Sequence, residues 1–152
     1  MSAVGSLTAC GFQMQGAFTP PTGMEQTYIA TGDRYSQFYR EFAARLQAEG
    51  VELTDSVADA TATFTIFADD TGQRVLSVSA RNVPTEYEVF YTITYSLDSG
   101  TTGLMPQQTL TLTRDYTYDS TLVLGKAREE ELLREAIVAD LVHIVMKQIS
   151  TL

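Results

Sequence analysis

Apolar residues change their spacing several times along this chain, and each change marks an element. From Tyr35 to Glu49, Phe38, Phe42 and Leu46 recur every fourth position with Tyr35, Tyr39 and Ala43 beside them, while Arg40, Glu41, Arg45 and Gln47 fall elsewhere on the wheel. That spacing predicts an amphipathic helix, and Gly50 stands where a left-handed residue terminates one. From Lys126 to Ile149 a second helical stretch gathers Leu133, Ile137, Leu141, Ile144 and Val145 on a broad apolar face. Asp140, His143 and Lys147 form its narrow polar stripe, and Glu130 and Arg134 are spaced to pair on its surface.

Elsewhere the period falls to two. Met24 to Thr31, with Tyr28, Ile29 and Ala30, predicts a short first strand closed by the turn residues Gly32 and Asp33. Ala62 to Ala68 alternates Phe64 and Ile66 against Thr63 and Thr65. Turn-type residues Asp69, Asp70, Thr71 and Gly72 follow, and Arg74 to Ala80 resumes with Leu76 and Val78, so one long interrupted strand and a hairpin fit equally well. The clearest alternation is Tyr87, Val89, Tyr91, Ile93, Tyr95 and Leu97, which predicts a strand with one buried face. After a turn begun by Asp98, Ser99 and Gly100, Gln108 to Tyr118 gives a last strand with Leu110, Leu112, Tyr116 and Tyr118 in phase. Arg114 shares that phase, so it points at the apolar side unless a bulge or a strand end intervenes.

The expected fold class is α+β: two helices packed on one face of a mostly antiparallel four-stranded sheet, in the order β-α-β-β-β-α. Residues 24–152 form the single domain. Residues 10–23, with Gly16, Pro20, Pro21 and Gly23, read as an extended tether.

Charge narrows the choice of partner. The chain has a net charge of −9, which works against broad adhesion to nucleic acid. No apolar run approaches the roughly 20 residues of a membrane-spanning helix. A small closed membrane barrel needs about eight strands, more than the helical segments leave room for.

Standard catalytic sets are missing from the sequence. His143 is the only histidine and stands beside Val142 and Ile144 in the middle of a helix, so no Cys/His or Ser/His/Asp set is evident. Asp69 and Asp70 read as a solvated turn pair, and Glu129, Glu130 and Glu131 as helix N-terminal residues favoured by the macrodipole. There is no Gly-rich phosphate loop and no metal-ligand spacing. The expectation is a binding protein with no enzymatic activity, no cofactor and no metal.

The lone cysteine is informative through its position. Leu7, Thr8, Ala9 and Cys10, followed by Gly11, resemble the lipobox of bacterial lipoproteins, in which the cysteine thiol receives a diacylglycerol and becomes the first mature residue. Met1 to Ser6 lacks the basic start and apolar stretch of a secretion signal, so residues 1–9 read as its remnant.

Taken in order, several motifs resemble the LptE family of lipopolysaccharide-assembly lipoproteins. They are Cys10, Gly11, Phe12 and Gly16, then Ala48 to Leu53 closing the first helix, Arg81 and Asn82 ahead of Glu86 and Tyr87, Arg114 in the last strand, and Leu124, Gly125 and Lys126 leading into the final helix. The resemblance implies an outer-membrane lipoprotein, lipid-anchored on the periplasmic side and seated as a plug in the lumen of the LptD-like β-barrel, assisting barrel assembly and lipopolysaccharide delivery to the outer leaflet. It also implies lipopolysaccharide binding through basic residues before the tyrosine-rich strand and at the start of the last helix, which are Arg81 and Lys126 by position. An auxiliary lipoprotein subunit of a lipid-trafficking ABC system, and a periplasmic hydrolase built on His143, are the other functions compatible with this size and class.

Overall fold

The structure, a computed structural model, describes residues 18–118 and 123–152. Its elements run β1 (Gln26–Ala30), α1 (Gln37–Ala48), β2 (Glu52–Thr54), a 3-10 turn (Val57–Asp59), β3 (Ala62–Val78), β4 (Pro84–Ser99), β5 (Thr102–Thr117) and α2 (Val123–Ile149). The α+β class and the two helices are as the sequence predicts. The sheet has five strands rather than four, in the order β2-β1-β3-β4-β5, and it is mixed. β1 runs parallel to both β2 and β3, while β3-β4 and β4-β5 are antiparallel. Three residues are too few to show a period, which is why β2 has no signature in the sequence.

Helix α1 begins at Ser36, whose Oγ accepts the Tyr39 N–H at 3.0 Å. It ends as Gly50 turns to φ +88° and the Val51 N–H reaches back to the Leu46 carbonyl at 3.0 Å. Its buried residues are Phe38, Phe42 and Leu46. Phe42 lies 4.4 Å from Phe64 of β3, and Phe64 stacks on Tyr95 of β4 at 5.3 Å, so one chain of rings joins helix to sheet. Helix α2 contributes Ile137, Leu141, Val145 and Ile149, all fully buried, while Asp140, His143 and Lys147 stay exposed.

The ambiguous stretch after Ile66 is one continuous strand. A register shift between Ile66 and Ala68 turns Asp69, Thr71, Gln73 and Val75 toward the helix side, opposite Ile93, Tyr91, Val89 and Tyr87. The turn signal fails because each turn-type residue has a place in the ladder. The Tyr91 hydroxyl donates to Asp69 Oδ1 at 2.6 Å, and the Phe90 ring lies over Gly72, filling the space a side chain would take. Together with further register shifts between Val75 and Val78, the same shift leaves Leu76 and Val78, which alternate like core residues, exposed.

The domain has two distinct ends. At one, Gly23 lies against Ser99, whose Oγ donates to the Thr61 carbonyl at 3.1 Å beside the β4-β5 turn. At the other are the β3-β4 turn, the end of β5 and the start of α2.

Candidate functional site

This second end gathers the basic residues singled out in the sequence. β3 and β4 are joined by a turn closed between the Ser79 N–H and the Val83 carbonyl at 2.8 Å, with Asn82 in the left-handed region at φ 60°. Ser79 Oγ accepts the N–H groups of both Arg81 and Val83 at 3.3 Å, which fixes the turn from inside. Arg81 stands exposed on this turn, and its guanidinium meets no carboxylate among the described residues.

Lys126 comes from the first turn of α2. Its Nζ lies 5.8 Å above the centre of the Tyr116 ring and 2.6 Å from Glu129 Oε2, with only 17% of the side chain exposed. A cation at a helix N-terminus opposes the macrodipole, and Glu129 one turn on offsets it. The pedestal beneath is aromatic: Tyr116 stacks on Tyr87 at 5.7 Å, and Tyr118 meets Tyr87 edge-on at 5.3 Å. The Tyr116 hydroxyl donates to Gln73 Oε1 at 2.9 Å. Burial, then the carboxylate of Glu130, raises its pKa above the ordinary phenol value. The fold thus brings Arg81 and Lys126 to the same end of the sheet, from separate elements.

Sequence reasoning missed other polar contacts. Arg134 is more than half of a surface pair. It binds Glu130 at 2.6 Å and Glu131 at 3.3 Å and reaches across to Thr71 Oγ1 of β3 at 3.2 Å, with 20% of its side chain exposed. Glu131 also accepts from Gln37 of α1 at 2.7 Å, so the three-glutamate run supplies counter-ions as well as an acidic helix start. Arg134 lies next to the buried face of α2, beside Leu133, and that position was the available signal. Arg114 points to the helix side with neither bulge nor strand end at its position; it pairs opposite Val89, and Asp140 of α2 takes its guanidinium at 2.5 Å.

Among the described residues the opposite face of the sheet carries no helix, and it is hydroxyl-rich. Thr92 and Thr111 share a hydrogen bond at 2.8 Å, as do Thr94 and Thr109. Arg74 pairs with Glu88 on that face. A cleft of about 410 Å³ lies between the helices, lined by Gln37, Arg40, Glu41, Glu131 and Glu135. Its acidic lining does not suit an anionic ligand. Among the described residues no three His, Cys, Asp or Glu side chains converge as metal ligands, and no helix is long and apolar enough to cross a membrane. Cys10 lies outside the described residues.

A two-helix layer on a mixed sheet, with two basic residues and stacked aromatic rings at one end and a hydroxyl-rich free face, defines a small α+β domain. The chain belongs to the LptE (lipopolysaccharide-assembly) family, whose sequence profile matches residues 24–149. The fold is similar to that of lipoprotein B from Nitrosomonas europaea, with a TM-score of 0.75 and 24% identity over 92% of this chain and 90% of that one. It is also similar to the rare lipoprotein B of Shewanella oneidensis, at 0.70 and 22% over 83% and 94%. A minor lipoprotein of Acinetobacter baumannii gives 0.67 and 21% over 84% and 92%. Comparison with curated protein sequences gives no match.

Proposed function

We propose that this chain is an outer-membrane lipoprotein, anchored through a diacylated Cys10, that acts in lipopolysaccharide assembly as the plug of an LptD-like β-barrel. Its membership of the lipopolysaccharide-assembly family carries the reading. The free face of the sheet supports it. A row of paired threonines and an arginine-glutamate pair suits a hydrated lumen, where an interface is large and polar.

Within this role Arg81 and Lys126 take phosphates of lipopolysaccharide. Arg81 offers a bidentate fork with no internal competitor among the described residues, and Lys126 offers a point charge held in place by Tyr116 and Glu129. On this reading the site binds and does not catalyse.

The decisive experiment is affinity purification from native outer membranes in mild detergent. A stable one-to-one complex with a barrel protein is the expected result; recovery of the chain alone, or with an ABC transporter, overturns the plug assignment. For the site, Arg81→Glu with Lys126→Glu lowers lipopolysaccharide pull-down while the melting temperature holds. An unchanged pull-down discards the two residues as ligands.

A further inference from the structure

The turn that carries Arg81 is unusually apolar for a solvent-exposed hairpin. Nine large hydrophobic side chains are exposed among the described residues, and four of them belong to this one hairpin end: Val75 on the helix side of the sheet, and Leu76, Val78 and Val83 nearer the turn. They are 44% to 53% exposed. Such clustering marks a binding surface, whereas single exposed apolar residues are ordinary.

Charge identifies the kind of occupant. The chain carries a net charge of −9, yet from Thr71 to Thr85 it has no acidic residue and two arginines. Arg74 is taken by Glu88, and Glu86 accepts from Ser77 Oγ at 2.8 Å, both on the face away from the helices. The turn is therefore locally apolar with one available cation among its valines, which complements an anionic amphiphile. A bilayer is the less suited form of that chemistry, because Gly23, on the N-terminal side of the domain toward Cys10, lies beside Ser99 at the opposite end.

We infer that Leu76, Val78 and Val83 receive acyl chains of the same lipopolysaccharide molecule whose phosphate Arg81 binds. This inference rests on the lipopolysaccharide-binding reading above and adds the hydrophobic half of the site. Phosphates and acyl chains are attached to the same sugars of that molecule, and a cation flanked by branched apolar side chains matches that arrangement.

The test compares two probes, intact lipopolysaccharide and its fully deacylated form, which keeps the phosphates. The full chain binds the intact probe more tightly, and Val78→Ser with Val83→Ser weakens that binding about tenfold, the loss expected for removing roughly two exposed valine contacts. Binding of the deacylated probe is unchanged by this double variant. Arg81→Glu weakens both probes alike. Equal affinity of the unaltered protein for the two probes overturns the acyl contact and leaves phosphate binding standing, whereas binding to neither overturns both readings. Flotation of the unaltered protein, but not of the double variant, with vesicles of phosphatidylglycerol and phosphatidylethanolamine would reassign the turn to a bilayer and overturn the inference. Both valines are half exposed, so the double variant keeps its fold, and an unshifted melting curve verifies it.

Discussion

Tyr91 shows how much one side chain can join. The residue is 2% exposed, its hydroxyl donates to Asp69 Oδ1 at 2.6 Å, and it accepts an N–H from the first turn of α1, that of Phe38, at 3.3 Å. One phenol therefore tethers β4 to β3 and helps satisfy a helix N-terminus. Tyr91→Phe keeps the packing and leaves both partners short of a hydrogen bond, so it should lower stability by about 1–3 kcal/mol in urea unfolding; a loss under a few tenths would show that water replaces the hydroxyl at no cost. Arg114 illustrates what a single sequence reveals at this scale. Alternation placed it correctly on the helix side, but its partner, Asp140, lies on an element far away in the chain, and no local rule links the two. The same holds for Arg134 and Thr71.

Elements depend on local rules more directly. Gly50 adopts φ +88° with nothing within 4 Å of where a Cβ would stand, so Gly50→Ala should cost about 1 kcal/mol from backbone strain alone, read as a lower urea midpoint with unchanged slope. An unchanged midpoint would mean that α1 ends without help from the left-handed residue. Replacing Arg134 by Met keeps its volume but cuts the link from α2 to β3, leaves Glu130 without its cation and Glu131 with Gln37 alone, and should cost about 1–3 kcal/mol. If the variant is instead neutral or more stable, the pairing only offsets its own desolvation. Both helices and the long tyrosine-rich strand were legible because each repeats its period over several turns or pleats. β2 was not, being held by its parallel pairing with β1 rather than by a pattern of its own. Asp69 to Gly72 misled for the opposite reason: turn propensity is a local preference, and pairing with β4 along the whole segment outweighs it.

At the scale of the whole molecule the buried tyrosines set a common response to alkali. Burial raises the Tyr95 pKa to about 12 from a model-compound value of 10.0, and burial and the Asp69 bond raise that of Tyr91 further. Tyr116 shifts the same way. Well below pH 10 these phenols are neutral in both folded and unfolded chains, and they favour neither. Above it the unfolded chain loses protons that the folded chain keeps, so stability falls with a limiting slope of about 1.4 kcal/mol per pH unit for each such tyrosine. Unfolding midpoints measured from pH 9 to 11.5 should decline, and less steeply in Tyr95→Phe; a flat profile would contradict the burial of these rings. The layer architecture was readable from the sequence because it follows from period; Arg81 and Lys126 were reached only through the family resemblance, and their lying at one end of the sheet depends on the fold. That the tip valines stay uncovered was not legible, because it depends on register shifts along β3 that no local pattern reveals. The unbroken span of β4, Pro84–Ser99, sets the two ends roughly 50 Å apart. Spin labels at Ala80→Cys and Thr101→Cys in a Cys10→Ser background should accordingly give one narrow distance near that value, and a broad one would deny the sheet its stiffness. A stiff body held at one end is a lever: a tilt of about ten degrees at the Gly23 end would swing the opposite apex sideways by roughly 9 Å, comparable to the girth of a lipid, with no hinge inside the domain.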